Sequence, residues 1–193
     1  MQRRDGLTRR KLEEAAFFLG HLKPNFRKER KFDFYLSAFI SAARAVTWAM
    51  CAEYKRVPGW KHWYDERKPT TEEARIFKGT TDVRNRTQKA GALRTVSKIT
   101  VAGLSLPNGD NAQLKSIIAR ARRDGIAAQI SGSGSNYTLK IQVEGQPVIL
   151  AARKVQMERE LAEFPGQDIL RICDQYYGMV SQLVTDCEKR FDA

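Results

Sequence analysis

Arg84 and Asn85 fall near the end of a predicted helix over residues 70–89, and Lys89 stands five places after the arginine. An arginine followed at this distance by histidine makes a compact phosphodiester-cleaving pair. The guanidinium holds phosphate charge, and an imidazole titrating near neutrality moves the proton. Here the arginine is present, and no histidine occurs between residues 85 and 193. Lysine shuttles a proton near pH 7 only when burial or cationic neighbours lower its pKa by several units. The two imidazoles of the chain, His21 and His62, lie upstream, and His62 sits in the aromatic run Trp60-Lys61-His62-Trp63-Tyr64. Arg84, Asn85, Lys89 and His62 are therefore the candidate catalytic residues, with His21 a second imidazole that folding can bring near Arg84.

The charge pattern points to a polyanion. The chain of 193 residues carries a formal net charge of +12. Residues 1–31 hold ten Lys/Arg against four Asp/Glu, residues 84–125 nine against two, and residues 154–193 five against eight. That asymmetry favours a nucleic-acid partner for the N-terminal and middle parts. Arg9 and Arg10 near the start, and Lys115, Arg120, Arg122 and Arg123 on a short predicted helix, are the candidate phosphate contacts. Such contacts supply salt-sensitive, sequence-blind affinity. Trp60, Trp63 and Tyr64 offer either stacking surfaces for bases or packing at the end of a helical domain.

Several classes are set aside. The cysteines, Cys51, Cys173 and Cys187, fall in helical patterns as small apolar residues, which suits a reduced cytoplasmic protein. No metal-ligand spacing is visible, so neither a metal nor a cofactor is expected. No secretory signal follows the early arginines. No apolar run approaches the roughly 20 residues of a membrane span. The serine-glycine stretch 131–136 reads as a flexible loop and lacks the lysine of a phosphate-gripping P-loop.

The elements that must position these side chains follow from periodicity. A first helix covers residues 7–22 and stops at Pro24. A second covers Phe32–Lys55, with Leu36, Phe39, Ile40, Ala43, Val46 and Met50 at spacings of three and four, and Pro58-Gly59 closes it. The helix over 70–89 begins with hydroxyl and carboxylate groups at Thr70, Thr71, Glu72 and Glu73. It carries Arg84 at its inner edge, and Arg44 within the second helix is expected to pair with a buried partner. Thr95–Val101 alternates as a strand, Asp110 or Asn111 caps the basic helix, and Ile126–Ile130 forms a short strand. Tyr137–Val143 and Val148–Ala152 form a hairpin. Residues 153–163 are expected to return to helix. From Gln167 to Phe191, Ile169, Cys173, Tyr176, Val180, Leu183 and Cys187 form a heptad stripe. The expectation is a mainly α fold: a four- or five-helix bundle from residues 1–92 and 153–193. A small basic α+β insertion of strand, short helix and hairpin, residues 93–152, separates its third and last helices.

The run Phe34-Tyr35 through Phe39, Arg44, Val46, Thr47 and Trp48, then Asp82-Val83-Arg84-Asn85, then Cys173-Asp174-Gln175-Tyr176-Tyr177, resembles HEPN-like bacterial helical bundles over residues 7–92 and 165–190. The resemblance implies a homodimer. It also implies, in nuclease members, an R-x4–6-H motif from each protomer that cuts RNA without metal. It assigns Arg84 to the motif arginine and Asn85 to its polar neighbour, with Lys89 where histidine is expected. The reading that results is a non-catalytic nucleic-acid-binding or assembly protein, contacting RNA ahead of DNA. One alternative is a metal-independent ribonuclease using Arg84 with Lys89 or His62. Another is a protein–protein interaction subunit of a defence or mobile-element system, whose basic face meets an acidic protein.

Overall fold

The computed structural model describes residues 6–91, 93, 95–124, 128–133 and 136–192, the side chains of 90, 121–124, 128 and 133 excepted. The chain is mainly helical with a small antiparallel sheet. Its elements are α1 (Leu7–Leu22), a 3-10 turn (Lys23–Asn25), α2 (Glu29–Tyr54), α3 (Trp60–Glu66), α4 (Thr71–Ala90), β1 (Val96–Ala102), α5 (Asn111–Asp124), β2 (Ala128–Ser133), β3 (Asn136–Val143), β4 (Gln146–Ala152), β5 (Lys154–Glu160) and α6 (Ile169–Phe191). They divide into two compact units, residues 1–96 with 159–193, and residues 97–158.

The first unit is organised around α2. Phe32, Leu36, Phe39, Ile40, Ala43, Val46 and Met50 are fully buried because their spacing returns them to one side of the helix. α2 and α6 run parallel. Phe39 meets Tyr176 edge to face at 6.3 Å, and Tyr54 Oη donates to Asp192 at 2.7 Å, so a near-constant sequence offset separates the partners. α1 runs antiparallel to α2, since Thr8 meets Glu53 at one end and the rings of His21 and Tyr35 lie 4.9 Å apart at the other. On α6 the buried stripe contains Val184, and Leu183 is only half-buried. A straight helix repeats every 3.6 residues, so its contact line drifts off a strict heptad.

By length and composition alone α2 is apolar enough to cross a bilayer, with a mean hydropathy of 1.2 over its best window, and half of that window is buried inside the protein, a test that the core helix of a folded domain also passes. α4 starts where expected: the Thr70 backbone N–H donates to the Glu73 carboxylate at 2.8 Å. Gly79 lets α4 approach closely, because a Cβ there would stand 2.8 Å from Cε1 of Phe164, nearer still to Cζ.

In the second unit, β2, β3 and β4 form an antiparallel sheet in that order, and β1 pairs with β5. Leu139, Ile141, Val143 and Leu150 are buried together with Leu114 of α5. Asp110 caps α5 by accepting from the N–H groups of Ala112 and Gln113 at 3.0 and 2.9 Å. The hairpin turn is Glu144-Gly145, both at positive φ (52° and 77°), which matches the twist of the flanking strands.

Two expectations are corrected. Residues 153–163 are not helical: β5 occupies Lys154–Glu160. Gln, Met, Glu and Arg favour helix locally, but pairing with β1 gives the backbone a ladder and overrides that weak preference. The loop expected at 131–136 is strand at Ser131–Ser133 and at Asn136, while Gly134 and Ser135 lie outside the described residues. The strand expected at Ile126–Ile130 is described only from Ala128 onward.

Candidate functional site

Arg84 lies on α4 at the rim of its buried face, one residue past fully buried Val83 and one turn past buried Thr80. It is half-buried, whereas Asn85 and Lys89 are exposed. Residues five apart on a helix stand about 140° apart around its axis, so Lys89 does not share a face with Arg84. Among the described residues, neither histidine makes a hydrogen bond to Arg84. His21 Nδ1 contacts the Phe17 carbonyl at 2.8 Å, with its ring between those of Phe17 and Tyr35. His62 is exposed and pairs with Glu66 at 3.1 Å, one turn along α3. Arg86, about 200° from Arg84 around α4, pairs with Glu163, its Nε donating at 2.8 Å.

His62 instead borders an open cleft of about 650 Å³ between α3 and the end of α6, with Trp63, Glu66, Arg67, Lys189 and Arg190. Both tryptophans of α3 are buried. Trp63 meets Phe191 edge to face at 5.4 Å and Trp60 stacks on Tyr64 at 4.8 Å, so these rings seal the end of the helices. The Arg67 guanidinium covers Trp63 at 4.2 Å, which leaves that ring no free face for a base.

Among the described residues the Arg44 side chain makes no hydrogen bond or ion pair with the buried partner expected for it. Its charge lies instead near the hydroxyls of Tyr64 and Tyr176. Among the described residues Tyr176 Oη is buried without a hydrogen-bond partner, and burial raises its pKa while the nearby Arg44 charge opposes the rise. The Thr80 hydroxyl gives its proton to the Ile76 carbonyl at 2.9 Å, so it is not a donor to the phenol.

The basic surface is divided. Arg9 is partly exposed and pairs with Glu188, its Nε donating at 2.9 Å and its Nη2 closer still. Arg10 is exposed. On α5, Leu114 is buried and Ile117 and Ile118 half-buried against the sheet, while Lys115 and Arg120 are exposed. Arg120 approaches the Glu144 carboxylate at 3.6 Å, a solvent-exposed pair of small energetic consequence. The side chains of Arg122 and Arg123 lie outside the described residues.

The strongest polar constellation was missed by sequence reasoning. Arg159, at the end of β5, is 1% exposed. Its Nε donates to the Phe26 carbonyl and its Nη1 to Thr95 Oγ1, both at 2.8 Å, and its guanidinium stands 4.9 Å from the Phe32 ring centre. Thr95 in turn donates to Asp33 Oδ1 at 2.8 Å. Burial raises the Asp33 carboxyl above its ordinary value, against the Thr95 hydrogen bond and the Arg159 charge, which lower it. All members belong to the first unit. Arg159 sits between Glu158 and Glu160 in the sequence, and its partners lie far along the chain. The arrangement ties together α2, the 3-10 turn and both segments leading to and from the second unit, so its role is structural.

The fold and these sites define a mainly helical protein with a separate basic α+β unit and, among the described residues, no cluster of groups able to hold a metal. The chain belongs to the family described as Bacteriophage lambda protein ea47, whose model matches residues 7–192. No curated protein and no solved structure shows significant similarity to it.

Proposed function

We propose that the protein holds nucleic acid without cutting it, through phosphate contacts from α5 and the N-terminal segment. The observation that carries this reading is the orientation of α5. Its apolar residues pack on the sheet and direct Lys115 and Arg120 to solvent, on a segment whose sequence continues with Arg122 and Arg123. Arg10 adds a further exposed cation. The parallel α2/α6 pair and antiparallel α1 are consistent with an HEPN-like bundle interrupted by the basic unit between α4 and α6. That resemblance favours RNA ahead of DNA. The separation of Arg84 from Lys89 around α4, and the engagement of both histidines elsewhere, supports holding over cleavage.

The test uses the full chain with a fluorescein-labelled 30-nucleotide single-stranded RNA, in chelator, from 50 to 200 mM salt. Four phosphate contacts on a single strand give a log–log slope of about −3, so affinity should fall roughly 60-fold across that range. Replacing Lys115, Arg120, Arg122 and Arg123 together by glutamate should abolish binding. Unchanged affinity in that variant overturns the assignment, as does RNA cleavage that disappears in Arg84→Ala.

A further inference from the structure

The open cleft between α3 and the end of α6 carries positive charge that the chain leaves unpaired. Its volume of about 650 Å³ lies within the range of small-ligand sites. Arg67 borders it from α3, and Lys189, Arg190 and Asp186 border it from α6. The two sides are fixed to each other, because the Trp63 ring meets that of Phe191 edge to face at 5.4 Å. Arg67 is held in place: its guanidinium stands over the Trp63 ring at 4.2 Å, and its Nη1 donates to the Trp63 carbonyl at 3.3 Å. Both contacts leave further N–H groups of the planar fork unused.

Among the described residues, Arg67, Lys189 and Arg190 form no ion pair. The nearby acids are engaged elsewhere. Arg9 takes Glu188, His62 pairs with Glu66 at 3.1 Å, and Gln182 donates to Asp186 at 2.8 Å. With the His62–Glu66 pair taken as balanced, three cations of the lining face the single carboxylate of Asp186. The carbonyl end of α6 offsets about half a charge more, which leaves the cleft positive by roughly one and a half.

We infer that this cleft holds a phosphate monoester, the group found at the end of a nucleic-acid strand and on a free nucleoside monophosphate. A monoester carries about −1.5 to −2 charges near pH 7, so it balances the cleft, whereas an internal diester with its single charge does not. Its terminal oxygens accept from the Arg67 fork, and Lys189 and Arg190 add charge from the other side. A strand end is the better fitting source. A second cleft of about 440 Å³ shares Gly59 and His62 with the first and is lined by Lys55 and Lys61, while its carboxylate, Asp65, pairs with Lys68 at 3.5 Å. The diesters that follow a terminal phosphate have these lysines to meet, and a free nucleotide has no such groups. The strand-end form rests on the proposed nucleic-acid function, whereas the monoester site itself depends neither on that function nor on α5.

The experiment is calorimetric titration of the full chain at 150 mM salt in chelator. The probes are hexauridylate phosphorylated at its 5′ end, at its 3′ end or at neither, and uridine monophosphate. One phosphorylated strand should bind about tenfold or more tightly than the unphosphorylated strand, the effect of one bidentate charge-assisted contact. That strand should also bind more tightly than uridine monophosphate, whereas equal affinity for the two assigns the monoester site to free nucleotide. Arg67→Lys keeps the charge but not the planar fork, and it should remove most of the preference. Lys189→Gln combined with Arg190→Gln should do the same, with circular dichroism matching the parent because both side chains are exposed. The Arg67 Nε–H resonance should move during the titration. The preference should persist in the chain carrying four glutamates on α5, which separates failure here from failure there. Equal affinity for all three strands, a preference unchanged in both cleft variants, or its loss in the α5 variant overturns the proposal.

Discussion

Replacing Arg159 with methionine removes the guanidinium while keeping most of the stem volume. The loss has three parts. Two hydrogen bonds from a charged donor disappear, each contributing about 1.5–3 kcal/mol. The Phe26 carbonyl loses its donor, and Asp33, only 8% exposed, loses the nearest positive charge. Against this, methionine avoids the several kcal/mol needed to desolvate a guanidinium. The balance is a net destabilisation of about 3 kcal/mol, measured by urea unfolding at 25 °C and pH 7. Arg159→Lys should cost about 2 kcal/mol, since a single ammonium reaches one of the two acceptors but keeps the charge. In an Asp33→Asn background the Arg159→Met cost should shrink by about 1–2 kcal/mol, because the two charges are coupled through Thr95.

The pH dependence has a definite sign. The folded chain retains the Asp33 proton to higher pH than the unfolded chain. The stability contributed by that carboxyl is therefore fully present below its ordinary value near 3.8 and is lost as pH rises through the raised folded value. Arg159→Met deletes one of the lowering influences, so the variant should lose stability more steeply than the parent between pH 4 and 7. A cost below about 1 kcal/mol, or additive single and double variants, would refute the reasoning.

Two further substitutions probe the backbone. Gly79→Ala gains up to about 1 kcal/mol of helix preference but forces a methyl against the Phe164 ring, and overpacking of this kind costs about 1–3 kcal/mol. The thermal midpoint should fall by about 2–6 °C. A rise would mean the ring moves aside freely. Glu144→Asn relieves a left-handed conformation that asparagine tolerates, and gives up only the exposed contact to Arg120. Amide exchange across β3 and β4 should slow about two- to fivefold. Faster exchange would show that the pairing with Arg120 matters more than the turn geometry.

What the sequence made legible follows from which signals are local. The apolar residues of α2 repeat through seven turns, and the turn at Glu144-Gly145 announces its own geometry, so helix and hairpin stand where their patterns place them. β5 has no such signature, because strand here is decided by β1, more than fifty residues upstream. The same distance hid Arg159. Its acceptors at Phe26 and Thr95 are 133 and 64 positions away, beyond the reach of any local pattern. Arg84 drew attention through its spacing to Lys89, yet spacing that suits a motif in a loop separates the two residues around a helix.

The contact between Thr95 and Arg159 fixes the two points where the polypeptide departs for residues 97–158 and comes back. A departure and a return held side by side make a socket. Two or three linking residues, each spanning at most about 3.5 Å, suffice to bridge such a gap. Residues 97–158 are therefore replaceable by a short linker without rebuilding the helices, provided that Arg159 and Thr95 remain.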